Sequence, residues 1–427
     1  MPNKKTGLFA DALSQLLKYK VASLVLAGLL GGATLPAQAA EVAIRAEFKP
    51  DPARPNFNTF ENKTPNTGFC ASYPVQCAAI KSFSLRVPLR FDSSGPIEPL
   101  HTSPRQGAMF SVPAQWRELM VTHTATGETE TLQVRISGIG SRYITDPVVD
   151  LVGGGVTALQ AHQLLWGSRW VSAPAPCRSS PLGAYSGNYY QFFWLTPVVG
   201  DCAKQARFNI PWMTYDYLDF AYELITPNPL GMSIGEYKGA VTYSVGPGKD
   251  FDLGDVMLPN DSELLLNFTL DVQHHLKVEI PPGANRIELV PQGGWQSWVQ
   301  QGRRPTRLFR DQTFNMWSSG RFKMELQCQF PVGNTCGLQA PSGETVPLNI
   351  AVSLPFGVGD ETGQKVDRRP LLLDGSGTRV FSPTYYLERR PGTLHFEIPA
   401  STMEPMFLPG APDRYSGTAT VIWDSEV

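Results

Sequence analysis

The sequence predicts an all-β protein built from β-sandwich domains, and three observations lead to this fold class. Charged residues make up only 17% of the chain, where about 25% is usual. The 39 Gly and 37 Pro residues supply many turns. Apolar and polar residues alternate through several short runs. Short strands with frequent turns are typical of sandwiches, whereas long helices favour more Ala, Glu, Lys and Leu.

Period-two alternation predicts the individual strands, because it places one face of a strand in a core and the other in water. In residues 82–89, Phe83, Leu85, Val87 and Leu89 share one face. The same pattern runs through residues 132–136, 276–280, 322–326 and 348–354.

One helix is predicted in the first half of the chain, over residues 157–166. Leu159, His162, Gln163 and Trp166 stand at helical spacing, and three consecutive glycines precede the segment.

Residues 1–39 have the order of a signal peptide. Lysines at 4, 5, 18 and 20 precede an apolar run over residues 21–35, and Ala37-Gln38-Ala39 places small residues at a cleavage site. We therefore expect export, with cleavage after Ala39. A membrane anchor is the alternative, but the apolar run is shorter than the roughly 20 residues that span a bilayer.

An even number of cysteines in an exported chain favours disulfides. Six cysteines allow many pairings, and we predict the nearest-neighbour set because it closes small loops. The predicted pairs are Cys70–Cys77, Cys177–Cys202 and Cys328–Cys336. A metal site would need close thiol pairs with partner histidines, and that spacing does not occur, so we predict neither metal nor cofactor.

A short internal sequence repeat predicts two domains. Residues 235–243 and 413–423 both contain the pattern Y-x-G-x-x-T in a strand context. If each copy closes a domain, the boundary falls near Leu258. The expected division is a signal peptide over 1–39, an N-terminal domain over 40–258 and a C-terminal domain over 259–427.

The sequence resembles the tip adhesins of bacterial chaperone–usher fimbriae, especially the two-domain type of Pseudomonas Cup-like fimbriae. Four features carry the resemblance: the signal peptide before a disulfide-bearing domain, the terminal run 415–424, the run 268–272 at the opening of the second domain, and Gly293-Gly294-Trp295 with the Cys328–Cys336 loop. The resemblance covers most of the chain after residue 39. Pilins commonly end with an aromatic residue next to last, whereas this chain ends Asp424-Ser425-Glu426-Val427.

The resemblance implies two immunoglobulin-like sandwiches, of which the C-terminal one lacks a strand. A periplasmic chaperone and then an adjacent pilin subunit would supply that strand, and an outer-membrane usher would export the chain to the fimbrial tip at the cell surface. The residues expected to line the groove for the donated strand are Tyr415, Gly417, Ala419, Val421 and Trp423. The alternative is a self-sufficient sandwich with an ordinary last strand.

The position in the fimbria depends on residues 41–48. We expect them to form the first strand of the first domain, as in a tip subunit. A free extension there would instead indicate a minor structural or adaptor pilin.

Aromatic residues concentrate around the predicted Cys177–Cys202 loop, where they could stack on sugars or anchor a protein receptor. Core packing is the alternative, and we expect more than half of them to be core. The ligand-binding candidates are Tyr185, Tyr189, Tyr190, Trp194, Trp212 and Asn188, with Arg178, Asp201 and Asp216 as further polar groups.

Catalysis is not expected. The chain has neither a G-x-S-x-G nor an H-E-x-x-H motif. A secreted carbohydrate-active enzyme stays an alternative, because two acids such as Asp216 and Asp219, or Asp250 and Asp252, could form a pair. The net charge of −2 indicates no nucleic-acid partner. An arginine cluster over residues 303–310 is interpreted as a solvated loop. The predicted function is attachment to a glycan or a surface protein.

Overall fold

The computed structural model describes residues 40–425, except 52, 55, 81, 181, 182 and 303. The predicted signal peptide lies outside the described residues. Strands dominate the described chain, and their hydrophobic residues form two main cores, which confirms the all-β class. Within the described ranges, no helix has the length and apolar character needed to cross a bilayer.

The first core belongs to the N-terminal half. Its strands are β1 (Ala40–Phe48), β2 (Glu61–Asn62), β3 (Leu85–Val87), β4 (Phe91–Ser93), β5 (Ala108–Phe110), β6 (Arg117–His123), β7 (Thr129–Ile144), β8 (Arg178–Ser179), β9 (Ala184–Tyr185), β10 (Tyr189–Leu195), β11 (Cys202–Lys204), β12 (Thr214–Tyr215), β13 (Leu218–Ile225), β14 (Gly235–Ser244), β15 (Met257–Pro259) and β16 (Glu263–Val272). Its helices are α1 (Phe69–Ser72), α2 (Pro74–Ala79), α3 (Val148–Leu151) and α4 (Ala158–Trp166), with 3-10 turns at Pro104–Gln106 and Pro229–Gly231.

The long strand β7 organises this half, because it pairs with β6, β10, β12 and β13 along different parts of its length. Gly140 allows β10 to approach closely: a Cβ at this position would lie 2.6 Å from the carbonyl oxygen of Phe192. A side chain at Gly140 would therefore push β10 away from β7.

The predicted helix is confirmed as α4. The Thr157 hydroxyl accepts the backbone N–H of Gln160, and the Gln160 side chain accepts the N–H of Thr157, which is a capping box. Gly167 ends the helix in the left-handed conformation, with φ 73°.

Strand β1 is engaged within its own half of the chain. It pairs with β16 in parallel along its whole length and with β2 on the other side. Ile44, Ala46 and Phe48 are buried in the first core. The expectation that residues 41–48 form the first strand of the first domain agrees with this pairing.

The place of residues 268–272 corrects the expected opening of the second domain. They lie in β16, which pairs with β14 and β1 and buries Phe268, Leu270 and Val272 in the first core. Along the chain, Val272 is the last buried residue of the first core, and Leu276 is the first residue that packs against the second. The first copy of the repeat, residues 235–243, lies in β14. This strand pairs with a strand on each side and is followed in sequence by β15 and β16.

The second core belongs to the C-terminal half. Its strands are β17 (Leu276–Glu279), β18 (Val290–Pro291), β19 (Leu308–Ser318), β20 (Lys323–Cys328), β21 (Pro331–Val332), β22 (Thr335–Gln339), β23 (Thr345–Ser353), β24 (Val358–Asp360), β25 (Arg369–Pro370), β26 (Phe381–Pro383), β27 (Leu387–Ile398) and β28 (Ala419–Asp424). Its helices are α5 (Gln296–Gln301) and α6 (Ala400–Met403), with a 3-10 turn at Glu404–Phe407.

These strands form a sandwich. One layer has the order β17-β19-β27-β23-β22-β21, and β20 pairs with β28 in the other. Phe314 and Met316 from β19 and Met324 and Leu326 from β20 are buried in the same core. The layers are thus held together by alternate residues of facing strands.

Three disulfides confirm the nearest-neighbour pairing. Cys70–Cys77, Cys177–Cys202 and Cys328–Cys336 have Cα–Cα distances of 5.6, 5.8 and 5.3 Å, within the usual range. The first joins α1 to α2, and the third joins the end of β20 to β22.

A polar contact joins the two halves of the chain. Arg321, which lies between β19 and β20, donates to Glu128 at 3.0 Å and to the Ser233 hydroxyl at 2.9 Å. Glu128 also accepts from the Tyr237 hydroxyl at 2.7 Å. His274, in the segment between β16 and β17, also bonds the backbone oxygen of Met232 at 2.9 Å.

Candidate functional site

The last strand of the second sandwich lies at an edge. Residues 419–423 of β28 pair with β20, and no other described strand pairs with them. Because backbone amides in a strand point alternately to its two sides, alternate N–H and C=O groups of this segment face away from β20. An edge of this kind is a template for another strand.

The second core has a larger share of half-buried apolar residues than the first. As many half-buried apolar residues surround it as surround the first core, although it has less than half as many buried members. No residue of β28 is fully buried, whereas Tyr237 and Tyr243 of β14 are. The half-buried residues include Ala419, Val421 and Trp423 of β28 itself, so apolar surface at the edge remains partly accessible.

Most of the predicted groove residues reach this core. Tyr415, Ala419, Val421 and Trp423 are half-buried against it. The Trp423 ring lies 4.9 Å from the ring of Phe314 and 5.9 Å from that of Phe322, measured between centroids. These contacts place the Trp423 side chain between the two layers.

Gly417 lies outside the half-buried set. It is exposed and precedes β28. A Cβ there would lie 2.8 Å from the carbonyl oxygen of Gly337. The residue therefore permits a close approach of two backbones, and its lack of a side chain leaves nothing to line a groove.

The aromatic residues of the first half are mainly core, as expected. Trp166, Trp170, Phe192, Phe193, Tyr215 and Tyr222 are buried. Two of the ligand-binding candidates belong to the same set: Trp194 is fully buried, and Tyr190 is 2% exposed. Their assignment to a ligand surface is corrected, because neither side chain is open to a ligand.

The other candidates reach the surface. Tyr185 and Trp212 are 46% and 42% exposed, Asn188 is exposed, and Tyr189 is half-buried. The Trp212 indole donates to Asp146 at 2.9 Å, which fixes its ring. These four residues remain candidates for a ligand surface.

Two arginines missed by the sequence analysis stand beside this surface. The Arg142 guanidinium lies 5.4 Å from the Tyr189 ring and pairs with Asp216. The Arg86 guanidinium lies 3.4 Å from the Tyr217 ring and donates to both oxygens of Asp219, at 2.7 and 2.8 Å. The sequence could not indicate these contacts, since Arg86 and Asp219 are 133 residues apart.

The acid pairs considered for glycosidase chemistry are occupied by arginines. Asp216 pairs with Arg142 and Asp219 with Arg86. Asp250 pairs with Arg117 at 2.6 Å and Asp252 with Arg105 at 2.7 Å. Each carboxylate therefore has a structural partner.

A lysine is buried beside the Cys177–Cys202 disulfide. Lys204 packs near the rings of Trp170 and Trp194, and its ammonium donates to Ser168 at 2.7 Å and to the backbone oxygen of Arg169 at 3.1 Å. Burial lowers the pKa of Lys204 to about 8. The environment thus disfavours its charged form.

Solved structures that are similar to this chain include fimbrial tip adhesins. CfaE, the adhesive subunit of CFA/I fimbria of enterotoxigenic Escherichia coli, is 9% identical, with 90% of this chain and 92% of that chain covered and a TM-score of 0.26. The chaperone–tip adhesin complex of CFA/I fimbriae is 9% identical, with 91% and 96% covered and a TM-score of 0.23. The CsuC–CsuE chaperone–tip subunit complex of the archaic Csu pili of Acinetobacter baumannii is 9% identical, with 90% and 99% covered and a TM-score of 0.21.

Each of these structures is of a fimbrial tip adhesin or of a complex that contains one. No family model matches the chain. No curated protein matches it either.

Proposed function

We propose that the chain is a fimbrial tip adhesin. The C-terminal sandwich accepts a β-strand from another subunit, and the N-terminal half binds a receptor. The observation that carries the proposal is the edge at residues 419–423, which has one strand neighbour and a half-buried apolar face. Main-chain bonds along that edge would supply affinity, and pockets for alternate side chains would supply specificity.

The engagement of β1 supports the tip position over an adaptor position. An adaptor donates an N-terminal strand to its neighbour. Here residues 40–48 pair with β16 along their whole length and bury Ile44 and Phe48. Releasing β1 would expose this apolar surface and open the first core.

The proposed partners follow from the unpaired edge. A periplasmic chaperone would cover it during export, an outer-membrane usher would pass the chain outward, and an adjacent pilin subunit would then supply the permanent strand. An uncovered edge with accessible apolar residues is prone to aggregation. Export through the periplasm to the fimbrial tip belongs to the same proposal.

Thermal unfolding of the full-length chain tests strand acceptance. The probe is a soluble peptide of about ten residues with alternating Thr and Val. The matched control has the same composition with all Thr before all Val, so its apolar residues cannot share one face. At a hundred times its Kd, the alternating peptide should stabilise the chain by about 2.7 kcal/mol. Equal effects of the two peptides, or no effect of either, would refute strand acceptance.

A further inference from the structure

A pocket of about 440 Å³ lies in the N-terminal half, away from the aromatic surface described above. Its walls come from β1, β2, β7 and β13, and from the segment between α2 and β3. Arg178, Leu195 and Pro197, which all lie within the loop closed by the Cys177–Cys202 disulfide, complete the lining. A volume of this size suits one or two sugar rings, since ligand sites usually measure about 300–1,000 Å³.

One wall of the pocket is aromatic. Phe60 and Phe83 are half-buried, and Tyr222 is buried behind them. The Phe83 and Tyr222 rings meet edge to face, with centroids 4.3 Å apart. The Tyr222 hydroxyl bonds the Thr64 hydroxyl at 3.1 Å and the Asn62 amide at 3.2 Å. The rings are therefore held in place and present C–H and π surface to the pocket.

A second part of the pocket lining carries charge. Arg135 donates to Glu223 through two nitrogens, at 2.9 and 2.7 Å, so these two charges compensate each other. Arg178 also lines the pocket and is exposed, and no described residue forms a hydrogen bond or ion pair with its guanidinium. The pocket thus has one positive charge more than its acids balance.

We propose that this pocket binds a pyranose that carries a carboxylate. The planar Arg178 guanidinium can hold a carboxylate through two parallel hydrogen bonds. The apolar C–H face of the same sugar can lie on Phe83 and Phe60. The inference deepens the proposed function, because it names the class of receptor that the adhesin would recognise.

An acidic sugar fits the pocket better than a simple anion, because it can contact both the aromatic residues and Arg178. Inorganic phosphate would use Arg178 and leave the aromatic wall in contact with water. A neutral sugar would use the aromatic wall and leave the arginine without a partner. A carboxylated pyranose satisfies both walls.

Ligand-observed NMR and calorimetry on the full-length chain test the proposal with matched sugars. The probes are methyl glucuronide and methyl galacturonide, and the controls are methyl glucoside, methyl galactoside and inorganic phosphate. Each acidic sugar differs from its neutral control only at C6. We expect at least one acidic sugar to bind about tenfold or more tightly than its neutral control.

Two charge-removing variants locate the binding. R178Q should weaken the acidic sugar about tenfold or more. R207Q removes another exposed arginine of the same half, outside the pocket lining, and should leave affinity unchanged. Both side chains are exposed, so both variants should fold, which a thermal melt checks.

Three results would overturn the proposal: equal binding of acidic and neutral sugars, phosphate binding as tightly as the sugars, or equal losses in R178Q and R207Q. The absence of any binding would do the same. None of these results affects strand acceptance, because the pocket lies in the first half and the peptide test reports on β28. Failure of the acidic-sugar proposal can therefore be distinguished from failure of the strand-acceptance proposal.

Discussion

The contact between Arg321 and Glu128 should couple the two halves of the chain, and its strength can be worked out from its burial. The Arg321 and Glu128 side chains are 28% and 23% exposed. Exposed ion pairs contribute about 0.2–1 kcal/mol, and breaking a buried pair costs about 3–5 kcal/mol. For this half-buried pair we expect a coupling energy of about 1–2 kcal/mol.

A double-mutant cycle with Arg321→Met and Glu128→Gln measures this coupling. Each variant removes one charge and keeps much of the side-chain volume. The readout is proteolysis of the connection at residues 273–275, because cleavage of a transiently opened segment reports its opening free energy. Global unfolding is a poorer readout of this one contact, since the two cores need not unfold in one step and the unfolding of either core reports mainly on its own packing.

The Glu236–Lys238 pair serves as the control. Its side chains are 52% and 58% exposed, so its coupling should be close to zero. If the Arg321 and Glu128 variants were additive within about 0.3 kcal/mol, the pair would not join the two halves and the reasoning would be refuted.

The same contact should weaken in acid. Burial raises the pKa of Glu128, but hydrogen bonds from Ser233 and Tyr237 and the charge of Arg321 outweigh it and hold the pKa below its usual 4.5. As the pH falls, Glu128 therefore takes up a proton at a higher pH when the contact is open than when it is closed. The stabilisation that ionised Glu128 gives to the closed contact is complete above pH 4.5. It is lost as the pH falls through the lower pKa that Glu128 has in the closed form.

Three further predictions concern the first half. Trp194→Ala should lower the free energy of unfolding by about 3–5 kcal/mol, whereas Trp212→Ala should lower it by under 1 kcal/mol, because the Trp194 ring is buried and the Trp212 ring is 42% exposed. Urea unfolding measures both losses, and equal losses would contradict this difference in burial. Replacing Cys177 and Cys202 by Ser should cost about 3 kcal/mol, and an unchanged melting temperature would count against a structural role. Between pH 8 and 10.5 the unfolded chain holds a proton that Lys204 has lost in the folded state, so Lys204 makes stability rise with pH there; Lys204→Met should remove this rise, and an unchanged pH profile would contradict it.

Local features of the fold were predictable from the sequence because their causes are local. The Thr157 and Gln160 side chains start α4, and Gly167 ends it. The disulfide partners lie 7, 25 and 8 residues apart. Alternation located β17 and β23, since it depends only on which face is buried.

Features set by distant partners could not be predicted in the same way. The pattern of residues 263–272 predicts a strand but not its neighbours, and its pairing with β1 places it in the first core. Tyr190 and Trp194 are residue types common in sugar-binding surfaces, but Trp170 stacks on Trp194, and Tyr143 and His162 pack against Tyr190, so both are buried. The pocket around Arg178 gathers residues from at least five separate segments.

Hydrogen exchange of residues 419–423 tests the central claim most directly. In the chain alone, amides that bond β20 should exchange slowly and the alternate amides quickly. The peptide of alternating Thr and Val should slow the second set, and its block-ordered control should leave that set unchanged. Slow exchange of every amide in the chain alone would contradict the account, because the sandwich would then already be closed along β28.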